Sequence, residues 1–166
     1  DIELEQITAG ANGFKISGES DGVELGDSVS GLGDINGDGL DDFAVTSPNS
    51  DTAFVVFGAN ALSSVNLAEI AGGTGGFAIS AEAAGDFLNA KVASAGDVNG
   101  DGVDDILVSA LHALSGSANE GAAYVIFGAD GGLSGVDLTD IANGTGGFRI
   151  TGNPGGVGRR HQWRRV

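Results

Sequence analysis

Apolar and polar positions alternate along this chain in short bursts, and the bursts recur. Phe14-Lys15-Ile16-Ser17, Phe77-Ala78-Ile79-Ser80 and Phe148-Arg149-Ile150-Thr151 each follow a glycine and put an aromatic ring and an isoleucine on one face. That is the period-two signature of a strand, and it predicts that this face is core in all three copies. Ser28 to Leu32 and Lys91 to Ala95 form a second pair of strand-like runs. Phe43-Ala44-Val45-Thr46 and Ile106-Leu107-Val108-Ser109 are apolar enough to be buried strands with neighbours on both sides. Ala53 to Gly58 and Ala123 to Gly128 supply a further strand in each half. From Leu62 to Ile70 and from Leu133 to Ile141 the spacing predicts one or two helical turns. Ser63-Ser64 and Ser134 would start them, over Val65, Leu67 and Ile70 and over Val136, Leu138 and Ile141. Four short strands per unit, repeated, predict an all-β fold: a partial β-propeller of about two four-stranded blades. The units run 13–75 and 76–152, after a lead-in over 1–12.

Between the second and third runs of each unit lies the most polar stretch. Gly33-Asp34-Ile35-Asn36-Gly37-Asp38-Gly39-Leu40-Asp41-Asp42 returns as Gly96-Asp97-Val98-Asn99-Gly100-Asp101-Gly102-Val103-Asp104-Asp105. Oxygen-bearing side chains fall at positions 1, 3, 5 and 9 of the loop: Asp34, Asn36, Asp38 and Asp42, then Asp97, Asn99, Asp101 and Asp105. Position 6 is glycine in both, and position 7, Leu40 or Val103, offers its carbonyl. A hard cation such as Ca²⁺ takes six to eight oxygens, and a tight loop with glycine at its sharp turn brings alternate residues to one point. Packing carboxylates so densely is repulsive unless a cation neutralises them. The spacing therefore predicts two calcium-binding loops. Asp41 and Asp104, at position 8, are expected to face solvent or to begin the next strand.

Composition narrows the chemistry. With 31 glycines, no cysteine and no methionine among 166 residues, disulfides and thiolate metal sites are excluded. A start at Asp1 without methionine suggests a fragment or a processed product. The net charge is −16, and four of the seven basic residues fall in the last eight positions, so the body of the chain would repel nucleic acid and anionic lipid. No apolar run is long enough for membrane insertion as a helix.

The order of strand, D-x-N-x-D-G-x-D-D loop, buried strand and Gly121-Ala122-Ala123-Tyr124-Val125-Ile126-Phe127-Gly128 resembles the FG-GAP repeat, the blade of the integrin α-subunit propeller and of many large bacterial surface proteins. The resemblance covers residues 13 to about 152 and implies calcium at the two ligand sets named above. The name-giving dipeptides depart from the family: Leu25-Gly26 and Leu88-Asn89 replace Phe-Gly, and Thr46-Ser47-Pro48 and Ala110-Leu111 replace Gly-Ala-Pro. A dockerin or EF-hand uses similar ligand spacing between amphipathic helices, whereas the runs after these loops are short and strand-like.

The expected function is that of a non-enzymatic, calcium-stabilised propeller piece from a secreted or cell-surface protein, serving adhesion or architecture, with protein or glycan ligands left to the complete propeller. The alternative is an accessory propeller domain of a secreted hydrolase whose catalytic part lies elsewhere. A third reading is a calcium-dependent docking module. His112 has no partner in sequence and reads as a loop residue, no Ser/His/Asp set recurs at equivalent strand ends, and Asn143-Gly144-Thr145 reads as a turn although it fits a glycosylation sequon. Residues 153–166 read as a frame-shifted tail: one base later, permitted codons for Val157 to Val166 spell a third copy of the loop. Two blades alone leave sheet faces and strand edges uncovered, so the chain is expected to be marginal or to self-associate.

Overall fold

A computed structural model describes residues 13–17, 24–60, 62, 64–84, 91–110 and 121–151. The lead-in over 1–12, His112 and the tail over 153–166 lie outside the described residues. The chain is mostly strand: β1 (Ile16–Ser17), β2 (Val29–Gly33), β3 (Asp42–Ser47), β4 (Thr52–Val56), β5 (Val65–Asn66), β6 (Gly76–Ser80), β7 (Lys91–Gly96), β8 (Asp105–Ala110), β9 (Ala122–Ile126), β10 (Val136–Asp137) and β11 (Gly147–Thr151). The described residues also form two five-residue helices, α1 (Leu67–Ala71) and α2 (Leu138–Ala142), and a 3₁₀ turn at Pro48–Ser50 between β3 and β4.

β2, β3, β4 and β6 pair antiparallel in that order to make the first blade, and β7, β8, β9 and β11 repeat the arrangement in the second. Both blades carry the same irregularity, a register shift between Gly31 and Gly33 and between Ser94 and Gly96. It re-aims the chain into the loop that follows, as bulges do. As hydrogen-bonded sheets the blades span 29–80 and 91–151, so the Gly-Phe strand closes a sheet. β10 then crosses from the second unit to pair in parallel with β6, Val136 against Ile79, giving the first sheet a fifth strand. β1 and β5 form the equivalent parallel pair, Ile16 against Val65.

That crossover corrects the expected helix starts. Val65 and Val136 are β-branched and enter strands β5 and β10, where their side chains suit the pleat. The helices begin two residues later, at Leu67 and Leu138, behind the caps Asn66 and Asp137. Their side chains accept from the N–H of Ala68 and Thr139, the bond that makes such residues good N-caps. Asn143 ends α2 as a turn residue.

The main core lies between the blades: Ile35, Val55, Phe77 and Ile79 from the first pack with Val92, Ile106, Tyr124, Ile126 and Leu138 from the second. A smaller cluster of Phe54, Val56, Leu67 and Ile70 fills the other side of the first blade, with Ile16 and Phe43 against it. The alternation along β4 explains the division, since Ala53 and Val55 face one cluster and Phe54 and Val56 the other. The expectation that the Phe-Ile face is core in every copy holds for Phe77 and Ile79 and fails for Phe148 and Ile150, which are exposed. A blade face becomes interior only where another blade lies on it.

Candidate functional site

The two polar loops connect β2 to β3 and β7 to β8, and they fold alike. Asp34 turns back on its own loop: one carboxylate oxygen accepts from the N–H of Gly37 (2.7 Å) and Asp38 (3.1 Å), the other from Gly39 (2.8 Å). Asp97 accepts from Gly100 (2.7 Å), Asp101 (3.1 Å) and Gly102 (2.9 Å). The Asn36 and Asn99 side-chain oxygens each accept from the N–H two residues on, at 2.9 Å. Asp38 accepts from the N–H of Leu40 and Asp101 from that of Val103. Gly39 and Gly102, at position 6, have φ of +87° and +93°, a turn that residues with a Cβ adopt only under strain.

Position 9 does something different. Asp42 is 1% and Asp105 0% exposed. The Asp42 carboxylate accepts from the N–H of Ile35 (3.0 Å) across the loop and from Gly58 (2.7 Å) at the end of β4. Asp105 accepts from Val98 (2.9 Å) and Gly128 (2.9 Å). Each carboxylate therefore pins the loop to the third strand of its blade.

Electrostatics sets the two ends of the loop apart. Desolvation pushes the Asp34 carboxyl up, but the backbone donors of Gly39, Gly37, Asp38 and Asn36 together outweigh it and hold the group below the usual range. For Asp42, desolvation raises the carboxyl. The Gly58 and Ile35 donors oppose this, and the negative charges of Asp38 and Asp34 add to it. A buried anion with anions beside it is stable when a cation joins it. The donors that the loop offers are all oxygens, which fits a hard divalent ion. Among the described residues no three carboxylate or imidazole side chains close into a ready metal cluster.

Of the position-8 residues, Asp41 meets the expectation of facing solvent and Asp104 departs from it. Asp41 is exposed. Asp104 reaches into the first blade, where its carboxylate accepts from the N–H of Asp34 (3.2 Å) and its own N–H donates to the Asp34 carbonyl (3.0 Å). The second loop thus seats the first. Nearby, Ala129 and Gly131 donate to the carbonyls of Ile35 (3.2 Å) and Asn36 (2.8 Å). Nothing local in sequence marks these contacts. The glycine at 33, where a Cβ would run into the Asp104 carboxylate, is no signal for them, because it recurs as Gly96 where nothing lies within 4 Å.

A hollow of about 210 Å³ beside α1 is lined by Ser47, Ser50, Thr52 and Ser80 with apolar neighbours, and no carboxylate, imidazole or amine lines it. No helix among the described residues is long and apolar enough to cross a membrane. Residues 25–65 and 90–126 match the family model of the FG-GAP repeat. No curated protein matches the chain. Both matched segments contain a loop and the strands that flank it. The chain carries two FG-GAP repeats, and the sheets they build are blades of a β-propeller.

Proposed function

We propose that both loops bind Ca²⁺ and that the chain is a non-enzymatic, calcium-stabilised propeller piece with an adhesive or architectural role outside the cell. The observation that carries this reading is the buried position-9 carboxylate, Asp42 or Asp105, repeated with the same two backbone donors at the foot of an all-oxygen loop. Asp34, Asn36, Asp38, Asp42 and the Leu40 carbonyl would hold one ion, and Asp97, Asn99, Asp101, Asp105 and the Val103 carbonyl the other. The ion supplies positive charge that offsets the mutual repulsion of the carboxylates. The chain's own part is to hold the first aspartate by loop N–H groups and the last by Gly58 or Gly128, so the loop is shaped in advance. FG-GAP repeats are typical of extracellular and surface proteins, where free calcium is high. Protein or glycan ligands would belong to the complete propeller.

The test is thermal unfolding with chelator, calcium or magnesium. A site with a Kd of about 0.1 mM, within the range of extracellular modules, gains about 1.4 kcal/mol at about 1 mM calcium. For a chain of this size that is a rise of roughly 3–6 °C per site. Asp34→Ala and Asp97→Ala should each remove part of the calcium-dependent rise, and the double substitution all of it. No rise with calcium, or an equal rise with magnesium, sinks the reading.

A further inference from the structure

The two polar loops touch, and the contact joins the end of the second to the beginning of the first. Asp104, at position 8, bonds Asp34, at position 1, in both directions. Its carboxylate accepts from the Asp34 N–H (3.2 Å), and its own N–H donates to the Asp34 carbonyl (3.0 Å). A second tie runs through the chain just past β9. The buried Asp105 carboxylate, at position 9, accepts from the Gly128 N–H (2.9 Å). Immediately beyond, the N–H groups of Ala129 and Gly131 donate to the carbonyls of Ile35 (3.2 Å) and Asn36 (2.8 Å). Gly128 is wedged between the loops: a Cβ on it would run into the Asp104 carbonyl and lie 3.0 Å from the Ile35 carbonyl. Positions 8 and 9 of the second loop thus hold positions 1 to 3 of the first.

We propose that the two loops are coupled as Ca²⁺ sites, so that filling either raises the affinity of the other, with Asp104 as the positioning residue that carries most of the coupling. This rests on the reading of both loops as Ca²⁺ sites. The ligand set of the second loop includes the Val103 carbonyl and the Asp105 carboxylate, the two sequence neighbours of Asp104. Holding both on an ion holds the residue between them. Asp104 then fixes the backbone of Asp34, and Ala129 and Gly131 fix that of Ile35 and Asn36, where the side chains of Asp34 and Asn36 serve the first site. A ligand that meets a site already ordered by another binds more tightly, even where no conformation changes. Linkage makes the effect reciprocal, so the first site returns the same factor to the second.

Calorimetric calcium titration of the full chain tests this in about 0.15 M salt, where repulsion between charges reaches about 8 Å. Asp38→Ala and Asp101→Ala each leave the other loop's ligand set intact, and the bonds of both side chains stay within their own loops. The product of the two single-site association constants should fall short of the parent's overall two-ion constant by about fivefold or more. Repeating the three titrations with Asp104→Ala added should remove most of that shortfall. Asp104→Asn keeps an acceptor oxygen without the charge and should preserve it. Hydrogen exchange reads the link with no change at Asp104: in Asp38→Ala, calcium filling the second site should slow exchange of the Asp34 amide by about fivefold or more. A product equal to the parent's constant, or a shortfall that survives Asp104→Ala, would overturn the coupling and leave the calcium reading standing. An Asp34 amide that ignores calcium in Asp38→Ala, or loss of the shortfall in Asp104→Asn, would overturn Asp104 as the link. A parent that binds no calcium would overturn both readings.

Discussion

An aspartate can serve a bound ion or the backbone that carries it, and in these loops position 9 serves the backbone whether or not an ion is bound. Asp42 satisfies the N–H groups of Ile35 and Gly58 in a place where water does not reach. Removing the carboxylate leaves two donors without an acceptor, and an unsatisfied buried donor costs about 1–3 kcal/mol. Asp42→Ala should therefore lose at least about 2 kcal/mol in chelator, with no metal involved. Asp38→Ala gives up the bonds that its carboxylate accepts from the N–H of Leu40 and the Asn36 side-chain amide, but at an exposed site that water reaches, and should cost less than half of that. Urea unfolding of both variants in chelator makes the comparison. Equal losses would mean that position 9 matters to the ion alone.

At the scale of the element, the joint between loop and strand is tested by two equivalent glycines. Gly33 and Gly96 both have positive φ, +79° and +67°, so alanine strains both by a similar amount. At Gly33 the new Cβ would also run into the Asp104 carboxylate, while at Gly96 nothing lies within 4 Å. Gly33→Ala should be the more destabilising of the two by about 1 kcal/mol or more, and introducing Asp104→Ala should remove the difference. Equal melting temperatures for Gly33→Ala and Gly96→Ala would refute the seating of one loop by the next. The same joint shows what was legible in the sequence. The loop could be read because its oxygens lie within nine residues of one another, and its recurrence separated design from chance. The strands could be read because alternation is local. Asp104 could not, because its partner is 70 residues earlier in the chain. The helix starts were misread for a related reason: Val65 and Val136 look like helix-face residues until the parallel partners β1 and β6 are known. The repeat likewise made Phe148 and Ile150 look like core, although burial depends on the neighbouring blade and not on the strand's own pattern.

At the scale of the whole molecule, the two blades are tied by a polar link at the edge of their shared core. Glu82, in the segment after β6, accepts from the Tyr124 hydroxyl on β9 (2.8 Å) and pairs with the Arg149 guanidinium on β11 (2.8 and 3.0 Å). Burial raises the Tyr124 phenol well above its ordinary value, and the Glu82 carboxylate, as acceptor and as negative charge, raises it further against the opposing Arg149. The neutral phenol is thus the form that the fold favours. Its contribution to stability is complete below the unfolded value near pH 10 and is lost as pH rises beyond that toward the folded value. Unfolding midpoints in urea should accordingly fall between about pH 10 and 11. Tyr124→Phe should remove the tyrosine part of that fall while costing about 0.5–1.5 kcal/mol at neutral pH for the lost hydrogen bond. Tyr124 is the only tyrosine in the chain, so tyrosinate absorbance follows this one hydroxyl without assignment. A phenol that ionises near pH 10 in the folded chain would show that the link does not hold the blades together. Ionisation delayed until unfolding, coincident with loss of strand circular dichroism, is the expected result and would mark Glu82, Tyr124 and Arg149 as one cooperative contact between the repeats.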